Sequence, residues 1–127
     1  MTSDSFNVLI IDDDVEICFM IKAILNFKGY AASVCSNGNE VFKIIKDNMP
    51  GLIIMDMLLS GMDGRQICKK LKNGTDTKNI PVLMISAHPD AELTCKAAGA
   101  DDFLSKPFEI KDLLVKVQMF MDKSIIV

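Results

Sequence analysis

Five polar residues stand just past short apolar runs. Asp12 and Asp13 follow Val8–Ile11, Asp56 follows Leu52–Met55, Ser86 follows Val82–Ile85, and Lys106 comes soon after Asp102–Leu104. Three carboxylates, a hydroxyl and an ammonium make a chemically coherent set. Carboxylates brought together raise one another's pKa values, because like charges disfavour ionisation. A divalent cation removes that conflict. Magnesium fits, because it prefers oxygen ligands, keeps several waters, and is usually held by one or two carboxylates plus a phosphate oxygen; manganese is the alternative ion. Lys106 adds a positive charge for a second oxygen of the same phosphate. Each residue alone has an ordinary explanation. The spacing of Asp13 and Glu16 suits a capping box, acids suit a helix N-terminus, and Asp56 and Ser86 could be turn residues. The joint placement is what points to a metal and phosphate site.

The placement depends on the elements between these residues. The apolar runs Asn7–Ile11, Ala31–Cys35, Leu52–Met55, Val82–Ile85 and Asp102–Leu104 are expected as five strands. Between them run helical periodicities. Ile17, Met20, Ile21, Ile24 and Leu25 mark a first helix stopped by Gly29. Val41, Ile44 and Ile45 mark a second, ended by Asn48, Pro50 and Gly51. Ile67, Lys70 and Leu71 mark a third, between Gly64 and Asn73–Gly74. A fourth opens with Pro89 in its first turn and closes at Gly99. Leu113, Leu114, Val117, Phe120 and Met121 mark a fifth, followed by an apolar tail, Lys123–Val127. Strands alternating with helices predict an α/β fold, a doubly wound parallel sheet covered on both faces. Ligands of such sheets bind outside the carboxyl ends of the strands, which is where the five polar residues stand.

Composition narrows the functions. The 127 residues suit one domain, 1–127, and half of them are hydrophobic. The net charge of −3 argues against a nucleic-acid surface. Lys69, Lys70 and Lys72 read as a solvated helical face. No apolar run approaches the ~20 residues of a membrane span, and the N-terminus carries no signal-peptide pattern, so a cytoplasmic location is expected. The four cysteines, Cys18, Cys35, Cys68 and Cys95, lack zinc or disulfide spacing and read as small buried hydrophobes.

Four motifs in order, VLIIDDD, LIIMDMLLSGMDG, VLMISA and GADDFLSKPF, make the chain resemble the receiver domain of two-component response regulators over nearly its whole length. The resemblance implies a flavodoxin-like strand order, 2-1-3-4-5. It implies that Asp56 is the phosphoacceptor, that Asp13 binds magnesium directly, and that Asp12 acts on the metal largely through water. The backbone carbonyl of Leu58 would be a further ligand. Ser86 and Lys106 would bind phosphoryl oxygens, Phe103 would be an aromatic switch, and the Lys106–Pro107 bond would be cis. The output face would lie on the fourth helix, fifth strand and fifth helix. The implied partners are a sensor histidine kinase or histidine phosphotransfer protein and a downstream output protein or domain, with a phosphorylation-dependent dimer as one assembly. Asp14 is assigned to the helix terminus and not to the metal. His88, the only histidine, is expected as a loop residue at the rim. Ser60 departs from the family's usual proline, which predicts a less rigid loop with no ligand lost.

Other functions fare less well. A magnesium-dependent aspartyl-phosphate hydrolase of similar fold needs a second acid two residues after its nucleophile, where this chain has Leu58. A flavin or nucleotide module would want a glycine- or hydroxyl-rich loop after the first strand, where this chain has acids. A degenerate receiver would lack polar residues that are all present. The expected function is therefore a phosphorylation-activated switch that catalyses only its own phosphoryl transfer and dephosphorylation.

Overall fold

A computed structural model of the chain describes residues 8–121. Five strands, β1 (Val8–Ile11), β2 (Ala32–Cys35), β3 (Leu52–Asp56), β6 (Val82–Ser86) and β7 (Asp102–Ser105), form one parallel sheet. Its order is β2-β1-β3-β6-β7, the expected flavodoxin-like order. Two further strands of two residues each, β4 (Leu58–Leu59) and β5 (Met62–Asp63), pair as a separate antiparallel hairpin. The helices are α1 (Val15–Phe27), α2 (Val41–Asp47), α3 (Gly64–Asn73), α4 (Ala91–Ala97) and α5 (Ile110–Met121), with a 3₁₀ turn at Gly38–Glu40. Of the expected elements, Asn7 and the tail Lys123–Val127 lie outside the described residues. Among those residues no helix is long and apolar enough to cross a membrane.

The near-continuous hydrophobicity of the central strands follows from coverage on both faces. Successive side chains alternate between the faces. Leu9, Ile11, Ile53, Met55, Val82 and Met84 join Val41, Ile45, Ile67, Leu71 and Cys95 in one half of the core. Val8, Ile10, Leu52, Ile54, Leu83 and Ile85 join Cys18, Ile21, Leu25, Leu113 and Val117 in the other. All four cysteines are free and buried, as their apolar surroundings in sequence suggest.

Helix ends refine the expected boundaries. Asp14 caps α1, as expected: its Oδ1 accepts from the amides of Glu16 at 3.1 Å and Ile17 at 3.3 Å. The reason is that Asp12 Oδ1 accepts the Asp14 amide at 2.9 Å, so Asp13 lies inside a turn and the first helical residue is Val15. Gly29, at φ +94°, ends that helix in the left-handed conformation glycine tolerates. α4 begins at Ala91 and not at Pro89, because His88 holds the preceding turn. Its carbonyl accepts the Ala91 amide and its Nδ1 accepts the Asp90 amide, both at 3.2 Å.

Lys72 corrects the reading of the lysine cluster as solvated. Lys69 and Lys70 are exposed, but Lys72 Nζ donates to the Ile80 carbonyl at 2.8 Å and to Asp101 Oδ2 at 2.6 Å. Asp101 Oδ2 also accepts the Val82 amide at 2.8 Å, so the pair joins α3 to the entry of β6. Lys72→Met is expected to cost about 1–2 kcal/mol, the low end for hydrogen bonds to charged groups because Asp101 is partly solvated. A urea titration that finds the midpoint unchanged would contradict this role.

Candidate functional site at the carboxyl ends of the strands

Asp12 ends the buried run of β1, and the sheet holds its backbone while the side chain reaches the rim. Its amide donates to the Cys35 carbonyl at 3.2 Å, and its own carbonyl accepts the Cys18 thiol at 3.1 Å. Burial first, then the Asp12 charge, push the Cys18 thiol up to about 11, so it remains a donor at neutral pH. Asp56 is the last residue of β3, opposite Ile85 of β6. Its Oδ2 accepts the Leu58 amide at 3.0 Å, which turns the chain into the β4–β5 hairpin.

Lys106 crosses from the far side. Its amide donates to the Ser86 carbonyl at 2.9 Å, extending the pairing of β6 and β7 by one residue, and the Lys106–Pro107 bond is cis. Its Nζ lies 2.8 Å from Asp56 Oδ1 and 3.4 Å from Asp12 Oδ2. Asp12 and Asp56 thus share one ammonium, supplied from 94 positions beyond Asp12. Burial opposes the charge on Lys106, but hydrogen bonding to Asp56 and attraction to both carboxylates outweigh it and hold its pKa above the ordinary lysine value.

Burial raises the Asp12 pKa, assisted by the Asp56 charge and opposed by the Asp14 amide and Lys106. An acid whose folded pKa is raised contributes stability that is present below its unfolded value near 3.9 and lost as pH rises through the folded value. Ionised Asp12 therefore works against the fold at neutral pH when no metal is bound. Asp12→Asn keeps an acceptor for the Asp14 amide and removes that charge. Its melting temperature at pH 7 without divalent cation should rise by a few degrees, and the difference should shrink on acidification. A lower melting temperature at pH 7 would contradict this account.

The other predicted residues fall around this centre. Ser86 ends β6, is 4% exposed, and its Oγ accepts the His88 amide at 3.0 Å. His88 is an exposed residue of the following loop. Asp13 is exposed beside the buried Asp12. Leu58 enters through its amide, and the residue is 59% exposed. Phe103 lies one layer below, opposite Met84, with its ring buried in the core half that holds Ala91 and Cys95. Beside it, Asp102 accepts the Phe103 amide at 2.8 Å and pairs with Lys116 of α5 at 2.9 Å.

Among the described residues, no three His, Cys, Asp or Glu side chains could by themselves hold a metal ion. The set Asp12, Asp13, Asp56 and the Leu58 carbonyl is all oxygen, and the buried Asp12 and half-buried Asp56 share the Lys106 ammonium. That chemistry fits a hard cation that keeps several of its waters, and it does not fit a closed protein cage.

The hairpin after Asp56 was not anticipated from the sequence. Its signal was present: Ser60–Gly61 forms a two-residue turn between Leu59 and Met62, with Gly61 at φ +73°. Arms of two residues are too short to show alternation.

Residues 8–118 match the response regulator receiver domain family. The chain belongs to that family. It is 34% identical over 94% of its length to the regulatory protein VanRB of Enterococcus faecalis, covering 54% of that protein. It is 28% identical over 92% of its length to the response regulator MprA of a Mycobacterium species, covering 51% of it. The chain thus spans about half the length of these curated relatives. Among solved structures it resembles a putative response regulator from Chloroflexus aurantiacus, with a TM-score of 0.87 and 34% identity over 94% of this chain and 100% of that one. It also resembles the receiver domain of a signal transduction histidine kinase from Syntrophus aciditrophicus, with a TM-score of 0.85 and 31% identity over 93% of this chain and 91% of that one. Receiver domains are signalling domains that interact with histidine kinases and output domains.

Proposed function

We propose that this receiver accepts a phosphoryl group on Asp56 from a phosphohistidine of a partner protein and changes its partner-binding surface in response. One observation carries the reading: a single ammonium, Lys106, spans Asp56 Oδ1 and Asp12 Oδ2 at the strand ends. An Asp56 carboxylate oxygen forms the new O–P bond, the P–N bond to the partner imidazole breaks, and the imidazole nitrogen keeps the electron pair. Lys106 releases its hold on Asp56 and follows the negative charge to an equatorial phosphoryl oxygen. Ser86 gives up its contact with the His88 amide and turns its hydroxyl to another. Magnesium, held by Asp12, Asp13, Asp56 and the Leu58 carbonyl, would neutralise charge on the transferred group.

Loss of the Ser86 contact with the following loop links the site to α4, and the Phe103 ring beneath is the element whose packing would report it. Partners then discriminate two conformational populations. In this reading residues 1–127 act as one cytoplasmic receiver unit, served by a histidine kinase or phosphotransfer protein and read by an output protein or domain. Phosphorylation-dependent dimerisation is one form that readout takes.

Incubation with a low-molecular-weight phosphoryl donor and magnesium tests the reading. The expected product carries one phosphoryl group, stable in acid, removed by base, and mapped to the peptide containing Asp56. Label on any other residue, or none with active donor, would overturn it.

The exposed Leu58 side chain offers no polar group to orient a water for attack on the phosphoryl group. Self-dephosphorylation is therefore slow, with a lifetime of minutes or more once donor is removed. Loss of label within seconds would contradict this.

A further inference from the structure

The β4–β5 hairpin carries the Leu58 carbonyl and leaves the sheet directly from Asp56, so whatever seats it also sets the phosphoacceptor. Two buried glycines touch it. A Cβ at Gly38 would come within 2.6 Å of Met62 Sδ and 3.3 Å of Ile67 Cδ1, both ends of flexible side chains. Gly64 is different. A Cβ there would overlap the Asp56 carbonyl oxygen and come within 3.0 Å of the Met57 carbonyl oxygen and 3.3 Å of Met57 Cα, all backbone atoms. The Gly64 amide also donates to the Met57 carbonyl at 2.6 Å. Its backbone does not lie in the left-handed region, so space and not conformational freedom is what requires glycine.

The far side of the same corner is pinned. Asp63 Oδ1 accepts the Arg65 amide at 2.9 Å as the N-cap of α3, and its carboxylate is held by the Arg65 guanidinium at 2.6–3.1 Å. Beyond Asp56, the Met57 amide is bonded to the Ile85 carbonyl at 2.9 Å. The start of α3 is therefore pressed against Asp56–Met57 between a capped helix and a paired strand. A side chain at position 64 cannot be relieved by a rotamer change; it has to move the peptide that aims the Asp56 carboxylate.

We infer that Gly64 is a positioning residue of the phosphoacceptor site: its missing side chain lets α3 close on the Asp56 and Met57 carbonyls and so sets where the Asp56 carboxylate and Leu58 carbonyl meet the cation. The inference rests on the Asp56 reading for its functional consequence, but the geometry can be read separately. The Leu58 amide, which donates to Asp56 Oδ2, reports the position of the carboxylate whatever the function is.

The test compares wild type, Gly64→Ala and Gly38→Ala. Backbone amide NMR reads the Leu58 resonance, calorimetry reads magnesium affinity, and label from a small phosphoryl donor reads transfer. In Gly64→Ala the Leu58 amide should move, magnesium should bind about tenfold more weakly, and labelling should slow by at least that factor. Gly38→Ala should lose thermal stability with magnesium affinity within twofold of wild type. If Gly64→Ala loses only stability, with an unmoved Leu58 amide and unchanged magnesium affinity, Gly64 is merely structural and the inference fails. Should Gly64→Ala not fold, wild type still decides: the Gly64 amide must shift on magnesium titration with the same affinity as Leu58, and an unresponsive Gly64 amide overturns the inference. Failure of wild type to take label at Asp56 would instead remove the phosphoacceptor reading, while the Leu58 amide of Gly64→Ala still shows whether Gly64 aims the carboxylate.

Discussion

Asp56→Asn is expected to lose phosphoryl labelling by at least about a thousandfold while remaining folded. The carboxylate oxygen is the nucleophile in the proposed transfer, and a neutral amide has no comparable lone pair to offer phosphorus. The substitution does not open the core, because Asp56 lies at the end of β3 and its buried neighbours Ile53, Ile54 and Met55 are untouched. It removes the negative charge that helps to raise the Asp12 pKa, but it also removes the 2.8 Å ion pair with Lys106, and the two effects oppose each other. Thermal melting at neutral pH without divalent cation should therefore stay within a few degrees of wild type. Equal labelling of the two proteins would overturn the assignment of Asp56.

Lys106→Met is expected to slow labelling by roughly a hundredfold to a thousandfold, the range for removing one preorganised charge-stabilising donor from an active site. Lys106 is the cation that Asp12 and Asp56 share, at 3.4 and 2.8 Å, and its side chain is mostly shielded from solvent. Its pKa is held above the ordinary lysine value, so it stays charged throughout the physiological range. A lysine with a raised folded pKa contributes stability that is full below its unfolded value near 10.4 and lost as pH rises through the higher folded value. At pH 7 that contribution is complete. The variant should therefore be less stable as well as slow. Lys106→Arg should not restore the rate, because a planar fork cannot take the place of a compact ammonium between two carboxylates. A labelling rate within twofold of wild type would contradict the proposed role of Lys106.

Much of the architecture was legible because burial on both faces leaves a plain trace. The runs VLII, LIIM and VLMI are almost wholly apolar since helices cover the sheet above and below, and their lengths exclude helices. The carboxyl-end rule then located Asp12, Asp56, Ser86 and Lys106 without any knowledge of contacts. Boundaries were less legible where local hydrogen bonds compete. Pro89 suits a first turn, yet the ring and carbonyl of His88 hold the chain out of the helix until Ala91. Lys72 looked like its exposed neighbours Lys69 and Lys70, because nothing local marks Asp101 and the Ile80 carbonyl as its partners.

The alternation of strand and helix, the five-stranded sheet, and the acids, hydroxyl and ammonium at its rim are readable from residue type and from periods of two and 3.6 residues. That one lysine lies between Asp12 and Asp56, that Asp12 is buried while Asp13 faces solvent, and that Gly64 abuts the Asp56 carbonyl emerge only on folding. Those facts depend on distances between residues remote in sequence, and such distances are set by how the strands register and how closely the helices approach them.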